Sequence, residues 1–142
     1  MSTTVERVLF LKSIELFSAI AGEDLAQLAL ISTEERRDSG EEIFAEGDPG
    51  DALYLVLSGT VRVHCEDRTV AELGTRECFG EMALLDGASR SATVTASVET
   101  RLLKISREDF HDILAEKPQI AIGVIRVLTR RLRNAIQERP GR

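Results

Sequence analysis

Cysteine is scarce in this chain of 142 residues, with only Cys65 and Cys78 present. Two cysteines do not make a disulfide framework, and they read as partly buried thiols in strands of a cytosolic protein. The remaining soft ligands are His64 and His111, and no paired spacing supports a zinc site. A cupin-like metal oxygenase would need a histidine-rich facial site, so that class is disfavoured and no enzymatic activity, metal or cofactor is expected. Long apolar runs are missing as well. The stretch 52–57 falls far short of the ~20 residues a membrane helix needs. The N-terminus shows neither an apolar core nor a small-residue cleavage site, so no signal peptide is expected and the cytoplasm is the default location. A basic excess is also lacking: 18 Lys and Arg stand against 24 Asp and Glu, a net charge of −6. That balance argues against nucleic acid as the main partner. A small anionic ligand, which needs one local positive site, remains compatible. There is no internal repeat, low-complexity stretch or linker.

What is present reads as one soluble domain over residues 1–142, 43% hydrophobic and 30% charged. Residues 1–32 are expected to be helical. Val5, Val8, Leu9 and Lys12 share a helical turn pattern, with Leu11 and Ile14 beside it. Ser18 or Gly22 is expected to cap a second helix, with Glu23 and Asp24 at its positive end. Residues 33–105 change to short strands punctuated by turn residues. Leu53, Leu55 and Leu57 share one strand face and Tyr54 and Val56 the other, so both faces are expected to be covered. The pattern predicts a β-sandwich or barrel. From 106 to 138 helix returns. Ser106 and Asp109 form a capping-box variant, and Pro118 separates a first helix from a longer one carrying Ile120, Val124, Leu128 and Leu132.

The most informative segment runs from Phe79 to Val94. Gly80 precedes a short run of helix formers that Gly87 stops. The absence of a side chain at Gly80 lets a ligand approach the backbone. A helix starting near Met82 offers unpaired N–H groups to an anion. Arg90 follows, and its guanidinium fork suits a phosphate. Glu81 beside a phosphate is badly placed unless it accepts from hydroxyls, which a ribose supplies. Together these residues suggest a sugar-phosphate ligand. The plainer reading is a strand–turn–strand with Arg90 as a solvated surface charge and Glu81 as a helix-start carboxylate.

The match at Phe79, Gly80, Glu81, Ala83, Leu84, Gly87, Arg90, Ala92, Thr93 and Val94 resembles the phosphate-binding cassette of the cyclic-nucleotide-binding domain family. That family includes the catabolite activator protein and the regulatory subunits of cAMP-dependent protein kinase. Residues 47–59 resemble its second signature. The resemblance implies an α+β fold, a jelly-roll barrel of about eight strands flanked by N-terminal helices and two C-terminal helices. It implies a regulatory sensor of cAMP, with cGMP as the alternative. Arg90 would pair with the cyclic phosphate. Ser91, through its hydroxyl and N–H, and the Ala83 N–H would complete the phosphate shell, with Ala92 following. Glu81 would accept from the ribose 2′-hydroxyl, with the Gly80 and Met82 backbone close by. Leu73 and Phe79 would line the pocket. Leu132, Ala135 and Ile136 of the last helix would cap the base, and movement of that helix would carry the signal to an effector protein or to a fused domain outside this sequence. No helix-turn-helix follows the last helix, so a DNA-binding domain is not expected. The alternative function is an interaction domain whose pocket has degenerated.

The sequence departs from the family in two places. Thr75-Arg76-Glu77 stands where Pro-Gly-Asp is usual, so that turn must be built differently. Ala135 replaces a hydroxyl residue that some relatives use to read the base. Elsewhere, the six arginines from Arg126 onward stand against Glu138 alone. They read as the solvated face of an amphipathic helix. The Ile120, Val124, Leu128, Leu132 stripe suits either a dimer seam or docking onto the chain's own β-roll. Glu41, Glu42, Glu46 and Asp48 read as wet surface around a turn.

Overall fold

The computed structural model describes residues 3–138. They form two compact units: a helical one from the segments before Ile31 and after His111, and a β unit over Ile31–His111.

In the helical unit, α1 (Thr4–Lys12) starts on a full capping box. The Thr3 hydroxyl accepts from the Glu6 N–H, and the Glu6 carboxylate accepts from the Thr3 N–H at 2.8 Å. Its buried side runs through Leu11 and on to Ile14, whereas Val5 and Leu9 face outward. A 3₁₀ turn (Glu15–Phe17) follows, then α2 (Gly22–Ile31). Ser18 ends the 3₁₀ turn and does not cap α2. Gly22 is already inside α2, and the Ala21 carbonyl accepts from the Asp24 and Leu25 N–H groups.

The last helix, α5 (Pro118–Gln137), begins with proline, whose missing N–H costs nothing in the first turn. It buries Ile120, Gly123, Val124 and Val127. A Cβ on Gly123 would come within 3.0 Å of Ile20 and 3.2 Å of the Ala19 carbonyl oxygen, so the glycine lets α5 sit close on the segment after the 3₁₀ turn. Arg131 adds a 2.6 Å ion pair to Glu15. The single stripe expected on this helix is therefore two. Ile120 and Val124 are core residues, while Leu132 and Ile136 are exposed along with Ile122 and Ile125. Of the basic residues expected here, Arg139 and Arg142 lie outside the described residues.

Among the described residues of the β unit, eight strands make two four-stranded antiparallel sheets. One runs β1 (Thr33–Arg37), β8 (Thr100–Ser106), β3 (Ala52–Ser58), β6 (Cys78–Phe79). The other runs β2 (Glu42–Phe44), β7 (Thr93–Ala96), β4 (Val61–Cys65), β5 (Arg68–Leu73). This is the jelly roll expected. β3 is central, pairing Leu53 with Ile105 and Leu55 with Leu103 on β8, and Tyr54 with Phe79 on β6. Residues 52–56 are all buried, which is why this strand reads as an unbroken apolar run. Ala52, Tyr54, Val56, Val61, Phe79, Val94 and Leu102 form one core cluster. Each larger aliphatic or aromatic side chain there contributes about 1.5–3 kcal/mol.

The unusual turn at 74–77 is hydrogen-bonded from the Glu77 N–H to the Gly74 carbonyl at 3.0 Å. Arg76 sits at φ +73°, where a type II turn prefers glycine. Glu77 compensates locally, its carboxylate accepting from the Gly74 N–H at 2.9 Å. β8 leads into α4 (Arg107–Glu116), whose Asp109 N–H donates to the Ser106 hydroxyl at 3.2 Å, as the capping variant predicts.

Candidate functional site

The β unit holds a cavity of about 440 Å³. Phe44, Val63, Leu73, Phe79 and Val94 give it apolar walls. Its polar end is made by Gly80, Glu81, Arg90 and Ser91, with Cys78, Ala92 and the stretch around Ala88 and Ser89 alongside. α3 (Glu81–Asp86) follows β6 directly and lies against β3.

Arg90 is the unusual residue. Its side chain is only 3% exposed. Nη2 donates to the Ala52 carbonyl at 2.8 Å and lies 3.7 Å from the carboxylate of Asp51, which is largely in solvent. The guanidinium also stands over the Phe44 ring, 4.0 Å from its centroid, a cation–π contact. Yet Nε and Nη1 are buried without a hydrogen-bond partner. Burial pulls Arg90 below the usual arginine range, with Tyr54, Asp51 and Asp48 acting the other way. Burying a cation with two nitrogens unsatisfied is costly, about 1–3 kcal/mol for each unmet polar group. At a cavity wall, such a group can donate Nε–H and Nη1–H to an anion's oxygens, which is the chemistry the arrangement offers.

The two sequence signatures meet at this residue. The Arg90 N–H donates to the Asp48 carbonyl and the Arg90 carbonyl accepts from the Gly47 N–H, each at 2.8 Å. The 47–51 turn therefore clamps the Arg90 backbone on both sides, while Ala52 at the start of β3 fixes its head group. Beneath lie three rings. Tyr54 stacks on Phe79 at 5.3 Å, and Phe44 tilts against both.

Gly80 plays a different part from the one its sequence suggests. It has φ +86°, and a Cβ there would come within 2.6 Å of Arg90 Nη1 and 2.9 Å of the Ala52 carbonyl oxygen. The place a Cβ would take at this glycine is filled by Arg90 itself, so the missing side chain makes room for the arginine, while Gly80 also lines the cavity. Glu81 opens α3, and one of its oxygens accepts from the Cys78 thiol at 2.9 Å. Met82 and Ala83 belong to α3, but their side chains lie outside the described residues. Leu132, Ala135 and Ile136 are exposed on α5.

Sequence reasoning missed Phe44, Val63, Cys78 and Val94 as lining residues. Val63 and Val94 face each other as Cα partners on β4 and β7, and Phe44 enters from β2 across a bulge. Strand pairing creates those neighbours, and no local motif announces them. The two histidines are held separately. His64 Nε2 bonds the Thr95 hydroxyl and Nδ1 the Glu66 carbonyl; His111 bonds the Leu84 carbonyl at 3.0 Å. Among the described residues no group of three or more His, Cys, Asp and Glu side chains is disposed to hold a metal ion. Glu41 and Asp48 accept from the N–H groups of Asp38 and Ala45, closing turns. Among the same residues no helix is long and apolar enough to cross a membrane.

The family model described as cyclic nucleotide-binding domain matches residues 34–117. The chain belongs to the cyclic nucleotide-binding domain family. A curated relative, the cyclic AMP receptor protein of Thermus thermophilus, is 43% identical over 131 residues, 88% of this chain and 60% of the relative. This binding domain thus spans less than two thirds of that relative's length. Among solved structures, the N-terminal domain of a transcriptional regulator from Streptomyces coelicolor A3(2) superposes with a TM-score of 0.84 at 34% identity, covering 91% of this chain and 96% of the other. The regulatory domain of Toxoplasma gondii PKA, crystallised with cAMP, gives a TM-score of 0.73 at 32% identity, covering 78% of this chain and 44% of the other. The domain is a cyclic-nucleotide-binding regulatory type, with the jelly-roll fold of these neighbours.

Proposed function

We propose that this domain senses a cyclic nucleotide, cAMP in preference to cGMP, and passes the signal on through α5 without catalysing a reaction. The observation that carries the reading is Arg90, a buried cation at the cavity wall with Nε and Nη1 unpartnered. A cyclic phosphate supplies one negative charge and two exocyclic oxygens, which match that deficit. Ser91 and the Ala83 N–H complete the phosphate shell. Glu81 accepts from the ribose 2′-hydroxyl, with Gly80, Met82 and Ala92 bordering the sugar-phosphate. Leu73, Phe79, Phe44 and Val63 offer the base an apolar surface. The cAMP in the Toxoplasma neighbour's crystal supports the ligand class.

On the same reading, nucleotide binding repositions α5, and Leu132, Ala135 and Ile136 are the residues that close on the base. The signal is received by an effector protein or by a further domain of a longer chain. Ile122, Ile125, Thr129, Leu132 and Ile136 recur at alternating three- and four-residue steps. All five are exposed, Ile122 and Ile136 about half and Ile125 and Leu132 somewhat more, the spacing of a two-stranded coiled-coil seam. A homodimer through this seam is part of the proposal, and it uses a different face from that of Ile120, Val124 and Leu128, sharing only Leu132 with that stripe. Thermal unfolding with and without nucleotide tests the reading. Saturating cAMP at 100 times Kd stabilises the folded state by about 2.7 kcal/mol, so a clear upward shift in Tm is expected. No shift with cAMP or cGMP would refute it.

A further inference from the structure

We propose that Cys78 is the positioning residue for the ribose-reading carboxylate, so that the thiol sets how strongly the pocket prefers a ligand bearing a 2′-hydroxyl. This rests on the nucleotide reading above and adds a residue to it. Cys78 lies on β6, its backbone registered against Leu55 of β3, so the sulfur is carried by a paired strand and not by a loop. The thiol points at Glu81 and donates to Oε2 at 2.9 Å. Both residues line the cavity whose wall contains the buried, unsatisfied Arg90.

A glutamate at the start of a short helix has three rotatable side-chain torsions, and fixing them on ligand binding costs entropy. A donor already in place removes part of that cost. It also divides the carboxylate: Oε2 is occupied by the thiol, leaving Oε1 for a hydroxyl. A thiol is a weak donor, so it orients the carboxylate without neutralising it, as a lysine would. The ligand class this favours is a ribonucleotide over its 2′-deoxy counterpart.

The test compares cAMP with 2′-deoxy-cAMP on the wild-type chain, Cys78→Ala and Cys78→Ser by calorimetric titration. Loss of the donor is expected to weaken cAMP about tenfold, within the range for an ordinary net hydrogen bond, as suits a weak donor. Affinity for 2′-deoxy-cAMP, which makes no demand on Glu81, should hold within about twofold on the same scale. Cys78→Ser keeps a donor and should restore the preference. Thermal melts of the unliganded variants establish that each is folded. Equal loss of both ligands in Cys78→Ala would mean that the thiol only packs, and would overturn the inference, as would no loss of either. Both results leave the nucleotide reading standing. A wild-type chain that binds neither ligand would overturn that reading and the inference with it.

Discussion

Arg90 occupies the volume that a side chain at Gly80 would need, with Nη1 2.6 Å from where a Cβ would stand. The glycine and the arginine are ten residues apart in sequence, and each explains the other. Gly80→Ala would bring two costs. One is the strain of an L-residue at φ +86°; the other is contact with the Ala52 carbonyl, which belongs to a central strand and cannot retreat. A loss of about 1–3 kcal/mol is expected in urea denaturation. cAMP affinity should fall by more than the stability change explains, because Arg90 must leave its seat.

The unsatisfied nitrogens of Arg90 also make a prediction for the unliganded protein. Arg90→Met removes a buried charge and keeps an apolar stem against Phe44. The empty domain should be as stable as wild type or more so, since each unmet buried polar group costs about 1–3 kcal/mol. Its stabilisation by cAMP should vanish. Denaturation curves with and without nucleotide measure both quantities, and a large loss of stability without ligand would contradict the assignment of Arg90 to binding.

Arg76 holds a conformation suited to glycine, at φ +73° in the turn between β5 and β6. Arg76→Gly is expected to stabilise the domain by up to about 1 kcal/mol, less the entropy glycine adds to the unfolded chain. Its backbone N–H bond to the Val56 carbonyl is unaffected by the change. A fall in the denaturation midpoint would show that the arginine side chain has a role of its own.

Tyr54 is the chain's single tyrosine, so its ionisation can be followed alone by absorbance. Burial raises its pKa above the ordinary 10.0, with Lys104 pulling the other way. The unfolded chain therefore ionises first. The contribution is fully present below pH ~10 and is lost as pH rises from there through the folded value. The tyrosinate midpoint should lie higher in buffer than in denaturant. Coincident midpoints would mean that the ring is not sequestered as described.

The exposed seam on α5 predicts self-association. Sedimentation should show a concentration-dependent dimer, and Ile125→Glu with Leu132→Glu should give a monomer with unchanged helix content. A wild-type chain that stays monomeric at high concentration would refute the dimer.

The parts of this molecule legible in its sequence are those where local pattern and tertiary environment agree. The apolar run of β3, the Ser106 cap and Pro118 at the head of α5 all read directly. The cassette from Phe79 to Val94 is legible through its likeness to the family whose model matches residues 34–117. Helix faces were harder. Val5 and Leu9 share a helical turn pattern yet lie exposed, and Leu11 and Ile14 beside them form the buried side. Ile120 and Leu132 share a stripe on paper, yet only the first is covered. Periodicity shows that a face is apolar and leaves open what it meets. The clamp of Gly47 and Asp48 on Arg90 and the Phe44 ring beneath it depend on contacts over long sequence distances, whereas the Cys78–Glu81 contact spans three residues and depends on how β6 hands over to α3. Long-range contact also explains why Gly80 must be glycine.

The most direct test of the account is calorimetric titration of cAMP into the wild-type chain and Arg90→Lys side by side. A micromolar Kd, about −8 kcal/mol, is expected for wild type. Lysine keeps the charge and loses the planar fork. Much of the affinity is expected to be lost, approaching the loss of about 2–5 kcal/mol for removing a charged partner from a buried pair altogether. Wild-type affinity in the lysine variant, or no heat in the folded wild-type protein, would contradict the claim that the unpartnered nitrogens of Arg90 are the phosphate site.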